Sequence, residues 1–494
     1  MEYILAIDQS TSATKLMLFG KEAKPLYRIT LPHQQIYPEP GWVEHDPMEI
    51  MNNLLKGLKE ILVNSGTNPS SVKTIAITNQ RETALIWDKM TGKPVCNAVV
   101  WQCQRGSGFC QKLRESGLES TIRKKTGLMI DPYFSASKLN WIMENIFGNS
   151  TTLNPANLLL GTIDSWLIWN LTGGKKHITD ITNACRTMLF NIHTLEWDND
   201  LLKLFGLPAH MFPEVIHSDT ITAWSDPSVT WGRSIPICGI MGDSHAALFG
   251  QACLRPGMAK VTYGTGSSIM IHTGYSPMAP PDGLVTSIGF AYKGNVHYVF
   301  EGNIHSTGDT LAWLVNNMEM LSSATESESL ALSVENNNGV YLVPAFNGLG
   351  APYWDNAARA AVTGMARNTK KAHVVRAALE SIAYQVKDLT NIMQNQGEVS
   401  LKELRVDGGA SRNNFLMQFQ SDMIQCNVVR ANIEEASALG VAFMAGITTG
   451  MWNGTGEIKN LLHEAITFRP HLPAEKANKL YQGWKQAVNQ VRTR

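Results

Sequence analysis

The chain has 494 residues, and its 42 basic and 42 acidic side chains cancel, so nothing in its charge points to nucleic acid or an anionic membrane surface. A hydrophobic fraction of 44% with a charged fraction of 17% describes an ordinary globular protein long enough for two domains, and no apolar run reaches the roughly 20 residues of a membrane helix. These figures exclude membrane insertion and leave a small-molecule partner.

Residues 4–19, ILAIDQSTSATKLMLF, read as an apolar strand, a Ser/Thr-rich turn and a second apolar strand. A loop rich in turn residues, HQQIYPEPGWVEHDP, leads to an amphipathic helix from about Met48 to Leu62. The strand VKTIAIT, the polar turn NQRET and the strand ALIWD follow. Helical segments rich in Leu, Ile and Trp dominate from Phe134 to Leu204, and the strand SIPICGIMG runs into the helix SHAALFGQA. At 258–271, MAKVTYGTGSSIMI repeats the opening pattern with Gly264, Thr265 and Gly266 in its turn. Then come the strand VYLVPAF, the turn GLGAPYWD, a long helix from about Ala372 to Met393, the strand LRVDGG and a helix starting near Asn413. Strands alternating with helices predict an α/β architecture of mixed sheets covered by helices. The repeated hairpin predicts two related domains that grip one phosphate chain between them. The seven cysteines form an odd set with no CxxC pair, which reads as reduced thiols in a cytoplasmic protein.

In such sheets ligands gather where strands end and helices begin. Asp8, with Ser10, Thr11, Ser12, Thr14 and Lys15, occupies the first turn, where hydroxyls and N–H groups suit phosphate and Asp8 suits hydrated Mg²⁺. The same residues could simply close a hairpin as an Asx or Ser/Thr turn. Gly264, Thr265 and Gly266 offer donors without negative charge, and VDGGASRNNF at 406–415 brings paired glycines and a helix start toward a base or ribose. Asp243 ends a strand and opens a helix, a place for an N-cap residue and equally for a carboxylate that accepts a proton from an attacking hydroxyl. Arg81 and Glu82 supply a paired donor and acceptor, with Trp101 and Tyr133 as an apolar wall, a set that suits a polyol. Read singly, Arg81 and Glu82 form a turn salt bridge and Trp101 belongs to the core. His245 reads as a satisfied structural histidine.

Taken together, the segments PGWVEHDPMEI (40–50), ITNQRET (77–83), DPYFSASKLNWIMEN (131–145), RTMLFNIHTLEWD (186–198), PAFNGLGAPYWD (344–355) and GGASRNNFLMQFQSD (408–422) resemble the FGGY family of carbohydrate kinases, its glycerol-phosphorylating members most of all. Tyr133 to Asn145 fits the first family signature and Gly364 to Glu380 the second. The resemblance implies two ribonuclease H-like domains of the actin-like ATPase type, divided as 1–248 and 249–494, with ATP and Mg²⁺ in the interdomain cleft. It implies Asp243 as general base, Asp8 on the metal side, and Arg81, Glu82, Trp101 and Tyr133 on the substrate. Thr11, Ser12, Lys15, Thr265, Gly308, Gly409 and Asn413 would line the nucleotide site. A homodimer or homotetramer is the implied assembly.

Departures from the family pattern carry information too. Ser244 replaces a Gln beside Asp243, and Ser268 replaces a Phe that packs on glycerol's carbon skeleton. Smaller departures are Ser10 for Gly, Lys15 for Arg and Ala312 for Gln. Loss of the Phe leaves space, which predicts a substrate longer than glycerol: a tetritol, pentitol or pentulose phosphorylated at a terminal hydroxyl. Glycerol itself is the alternative, since Arg81, Glu82, Trp101, Tyr133 and Asp243 are all present. An actin-like ATPase switch would share the hairpins but not the polar, aromatic-walled cluster. The loop VTWGRSIP (229–236) lacks the Gly-Gly-Thr-Arg arrangement associated with fructose bisphosphate control, so that control is not expected here.

Overall fold

A computed structural model describes residues 1–148, 153–221, 223–433, 435–462 and 465–493. Two large mixed sheets carry the fold. In the first, the strands run in the order Ala223–Trp224, Pro236–Gly242, Val72–Asn79, Tyr3–Gln9, Ala13–Phe19, Pro25–Pro32. In the second, the order is Val285–Tyr292, Asn295–Ile304, Ser267–Gly274, Met258–Tyr263, Glu403–Asp407, Val428–Arg430, Ile466–Phe468. Each sheet is built outward from its hairpin. The hairpin's first strand pairs antiparallel with its second and parallel with a strand that arrives after a helical excursion. The duplicated sequence pattern therefore becomes a duplicated topology.

Helices form and stop where local chemistry dictates. Pro47–Ser65 starts behind Asp46, whose carboxylate accepts from the Met48 amide at 2.8 Å. It ends at Gly66 in the left-handed region, and Ile50, Leu54, Leu58 and Ile61 put one apolar stripe on the first sheet. Lys371–Asn395 covers the second sheet in the same way with Val375, Leu379, Ile382, Val386 and Leu389. The span from Phe134 to Leu204 is less helical than its composition predicts. Strands Leu158–Thr162 and Ile178–Asp180 interrupt it, because fully buried β-branched and Leu-rich runs do not distinguish strand from helix by periodicity.

Two tertiary features place the site. The strand Ala84–Asp88 belongs not to the first sheet but to a smaller one, where it pairs with Leu158–Thr162, so the NQRET turn bridges two sheets. The helix Ala436–Thr448, late in the chain, packs against the first sheet, its Val441, Phe443 and Met444 clustering with Ile4, Ala6, Met17 and Ala76. It crosses the helix Asp243–Gly250 at two glycines. A Cβ on Gly440 would lie 1.8 Å from the Ala246 carbonyl oxygen, and one on Gly250 would lie 2.3 Å from that of Ala436. Only glycine lets the two backbones approach so closely, and the helix that begins at Asp243 is fixed by that contact. Among the described residues, no helix is long and apolar enough to cross a membrane.

Candidate active site

Asp243 closes the strand Pro236–Gly242 and opens the next helix, but it is not the cap. Gly242 holds the cap position, and the Asp243 carboxylate accepts from the Ser244 amide at 2.6 Å. Its backbone is clamped on both sides. Gly242 N–H donates to Thr182 Oγ1 at 2.9 Å, and Ser437 Oγ donates to the Asp243 carbonyl at 2.8 Å. A Cβ on Gly242 would sit 2.7 Å from Arg81 Cγ, so a side chain there would push the arginine away.

Arg81 is the centre of a buried charge network. Its Nη1 and Nη2 form a two-pronged pair with Glu301 at 3.0 and 2.8 Å, while Nε lies 3.2 Å from Asp243 Oδ1 and 3.9 Å from Glu82. Arg186 completes the square, with Nε 2.7 Å from Glu82 and Nη1 2.8 Å from Glu301. The two arginines and two glutamates balance one another and are all but inaccessible, whereas the Asp243 side chain is 37% exposed. Burial works to raise the Glu301 carboxyl, yet Arg186 and Arg81 together hold it below the ordinary carboxylate range. Burial raises Glu82, and its two arginine partners oppose that rise. Glu82 also has a φ of +62°, a conformation unfavourable for a long side chain and held here by its neighbours.

Trp101 and Tyr133 are brought together. They meet edge to face with centroids 5.5 Å apart, and the Trp101 indole N–H donates to Thr11 Oγ1 at 3.0 Å. Lys138 holds the Tyr133 segment by donating from Nζ to the carbonyls of Pro132, Tyr133 and Phe134 at 2.7, 2.5 and 3.0 Å. Buried at that place, its ammonium is lowered to about 8 by desolvation.

Asp8, one residue before the end of the first strand, stands opposite Lys15, whose Nζ is 3.6 Å from it and 2.8 Å from Glu435. Burial raises Asp8 to about 7, the charges of Glu435 and Asp243 push the same way, and Lys15 opposes them. Strand ends of the second sheet meet through backbone groups and through the Thr307 hydroxyl, which donates to the carbonyls of Gly264 and Thr265 at 3.0 and 3.1 Å. Gly308 N–H donates to the Gly264 carbonyl at 2.9 Å, and a Cβ on Gly408, at φ +89°, would fall 2.3 Å from the Tyr263 carbonyl. Gly264, Thr265 and Gly409 remain exposed, and a Cβ built on Gly409 meets nothing within 4 Å. Ser12 is also exposed.

His245 and the first turn differ from expectation, and Asn413, Ser268 and Ser244 take the places that follow. Asn413 is an N-cap whose carboxamide is committed at both ends, its oxygen to the Leu416 amide and its nitrogen to Ser327 Oγ. His245 is buried, but neither ring nitrogen has a partner, so it is not the satisfied histidine its apolar spacing implied. Desolvation, with the charge of Arg81 beside it, lowers its basicity far below the usual imidazole range. Ser268 lies on the strand Ser267–Gly274, opposite Asn303, and its hydroxyl oxygen is buried without a partner. Ser244 sits half-buried at the helix start. Residues 8–15 are less of a turn than they read: Asp8 pairs with Lys15 and Gln9 with Thr14, leaving Ser10, Thr11 and Ser12 as the connection.

Glu301, Arg186 and Thr182 escaped the sequence reading. Arg186 stands in a segment that carries the family resemblance, and Glu301 is a lone acidic residue inside an apolar strand, which is the only signal either gave.

Residues 3–250 match the model of the N-terminal domain of the FGGY family of carbohydrate kinases, and residues 259–449 match that of its C-terminal domain. Glycerol kinase 1 of Thermotoga maritima is 48% identical over 491 residues, covering 99% of this chain and 100% of the relative. A glycerol kinase of Treponema denticola is 48% identical over 487 residues, covering 99% and 98%. The crystal structure of Plasmodium falciparum glycerol kinase with ADP superposes with a TM-score of 0.94 at 36% identity, covering 99% and 98%. A ligand-bound xylulose kinase from Lactobacillus acidophilus, 20% identical with a TM-score of 0.87 over 99% and 98% of the chains, shares the fold. The chain belongs to the FGGY family of carbohydrate kinases, ATP-dependent phosphotransferases.

Proposed function

We propose that this chain transfers the γ-phosphoryl group of ATP to a terminal hydroxyl of glycerol, giving glycerol 3-phosphate and ADP, with Asp243 as general base. One observation carries the reading: Asp243 is the accessible carboxylate beside a buried network whose own charges cancel. Arg81 gives both terminal nitrogens to Glu301 and meets Asp243 through Nε at Oδ1 alone, which leaves the exposed side of the Asp243 carboxylate for a hydroxyl. The attacking oxygen forms a bond to phosphorus as the bond to the ADP oxygen breaks, and the hydroxyl proton passes to Asp243. Arg81 and Glu82 orient the remaining hydroxyls against Trp101 and Tyr133. The relatives named glycerol kinase support glycerol over the longer substrates that Ser244 and Ser268 suggest.

For the nucleotide, the exposed backbone at Gly264, Thr265 and Gly409, with Gly266 and Gly308 beside it, suits close approach of phosphates and a flat base. Thr11, Ser12 and Lys15 face the same task from the first hairpin, and Asn413 contributes through the helix it caps rather than by its side chain. Among the described residues no three His, Cys, Asp or Glu side chains cluster as a metal cage. Asp8 and Asp243 as a pair fit Mg²⁺, which keeps most of its waters and takes one or two carboxylates. When bound, Mg²⁺ supplies positive charge to the transferred group. A domain division near 248, a homodimer or homotetramer, and a cytoplasmic setting consistent with seven unpaired cysteines complete the proposal. Purified protein with ATP and glycerol should release ADP stoichiometrically with glycerol 3-phosphate, and no product by mass spectrometry would refute it.

Thr182 offers a sharper check on the base. Its hydroxyl donates to Asp180 and accepts from the Gly242 N–H, so Thr182→Val keeps the shape and removes the acceptor. We expect kcat to fall about tenfold, the cost of one buried amide left unpaired being about 1–3 kcal/mol, with KM for ATP little changed. Equal loss in both constants would mean a general folding defect.

A further inference from the structure

We infer that Glu435 is a positioning residue for the nucleotide: it holds the Lys15 ammonium off Asp8 and at the place where phosphates meet the first hairpin. The inference deepens the proposed function and rests on ATP as the phosphoryl donor.

Glu435 occupies the N-cap position of the helix Ala436–Thr448, a place that favours Ser, Thr, Asp or Asn, yet its side chain does not cap that helix. The carboxylate is spent on two cations instead. Oε2 lies 2.8 Å from Lys15 Nζ, and Oε1 lies 3.3 Å from Arg28 Nη1. Lys15 and Arg28 stand on the neighbouring strands Ala13–Phe19 and Pro25–Pro32, so the start of a late helix is seated on the first hairpin across a separation of 420 residues. The same helix start reaches the proposed base. Two residues beyond Glu435, Ser437 Oγ donates to the Asp243 carbonyl at 2.8 Å. One helix end therefore sets the place of Lys15 relative to Asp243.

A lysine at this place needs such a partner. Its ammonium is a point charge on a flexible four-carbon stem, without the planar fork by which an arginine orients itself. Asp8 is the competing carboxylate, and at 3.6 Å from Nζ it stands too far for a good hydrogen bond. Without Glu435 the ammonium would close on Asp8, and the phosphate's cation and the metal-side carboxylate would neutralise each other. Glu435 takes one of the three Nζ hydrogens and leaves the ammonium with donors for a phosphate oxygen. The Lys15 and Glu435 side chains are 22% and 23% exposed, and a partly exposed ion pair contributes little to stability. The contact acts on where a charge stands, not on whether the chain folds.

The test is a double-mutant cycle on the full chain with Glu435→Gln, Lys15→Met and the two combined, read as ADP affinity by titration calorimetry and as initial rates with ATP and glycerol. Glu435→Gln should weaken ADP binding and raise KM for ATP on the order of 10-fold, the loss expected for a charge-assisted hydrogen bond. KM for glycerol should stay within about twofold, and so should the added effect of Glu435→Gln once Lys15 is Met, because Glu435 acts through Lys15. Glu435→Asp keeps the charge on a shorter stem and should recover part of the affinity. Losses that simply add in the double variant overturn the inference, as does ADP binding in Glu435→Gln equal to the parent's. A lowered melting temperature with equal loss toward ATP and glycerol would make Glu435 a structural clasp and overturn it too. A parent protein that binds ADP but phosphorylates no glycerol refutes the proposed function, and the ADP cycle still decides the role of Glu435.

Discussion

Asp243→Asn is expected to lower kcat on the order of 100- to 10,000-fold, the usual contribution of a positioned general base, while leaving the protein folded. The substitution keeps the shape of the side chain and removes its charge. Stability should change by less than about 1 kcal/mol, because the group is more than a third exposed and touches the buried network only through Arg81 Nε. KM for the polyol should move little, since Arg81, Glu82, Trp101 and Tyr133 remain in place. Activity within a few-fold of the parent would show that the proton leaves by another route, and Asp243 would lose its assignment. A large fall in melting temperature would point to a structural role instead.

Glu301→Gln is expected to have the largest effect on the fold. The parent network holds two arginines against two glutamates, and this change leaves a buried excess of positive charge. Breaking one side of a buried pair costs about 3–5 kcal/mol. Arg81, freed from its two-pronged partner, would turn toward Asp243 and shorten their 3.2 Å separation, so kcat/KM should fall as well. The control is the double variant Glu301→Met, Arg186→Met. With apolar groups in place of a charge pair, much of the stability should return while activity should not. If Glu301→Gln melts like the parent, the network is more hydrated than its burial implies. If the double variant recovers activity, Glu301 positions nothing that matters to turnover.

The same residues explain what could be read from the chain alone. Asp8, Asp243 and the NQRET turn stand at strand ends, and strand ends are visible in a sequence because β-branched runs stop at Gly, Asp and Ser/Thr clusters. The duplicated hairpin was visible for the same reason, and it announced the shared topology of the two sheets. Trp101 and Tyr133 were legible as part of a family pattern, not from periodicity. The apolar neighbours of His245 predict a satisfied ring, whereas its unpaired nitrogens depend on groups distant in sequence. Asn413 was legible as a helix start, but its commitment to Ser327 was not, since 86 residues separate them.

Local sequence, then, determined most of the elements, the two hairpins and the placing of Asp8 and Asp243 near strand ends, because propensity, turn chemistry and caps act over a few residues. Tertiary structure alone decided that Arg81 would be held by Glu301, 220 residues away, that Ser268 would face Asn303, and that the helix Ala436–Thr448 would cross the helix carrying Asp243 at Gly440. Those outcomes follow from strand register and close packing between segments hundreds of residues apart, and a pattern read along the chain contains no term for either.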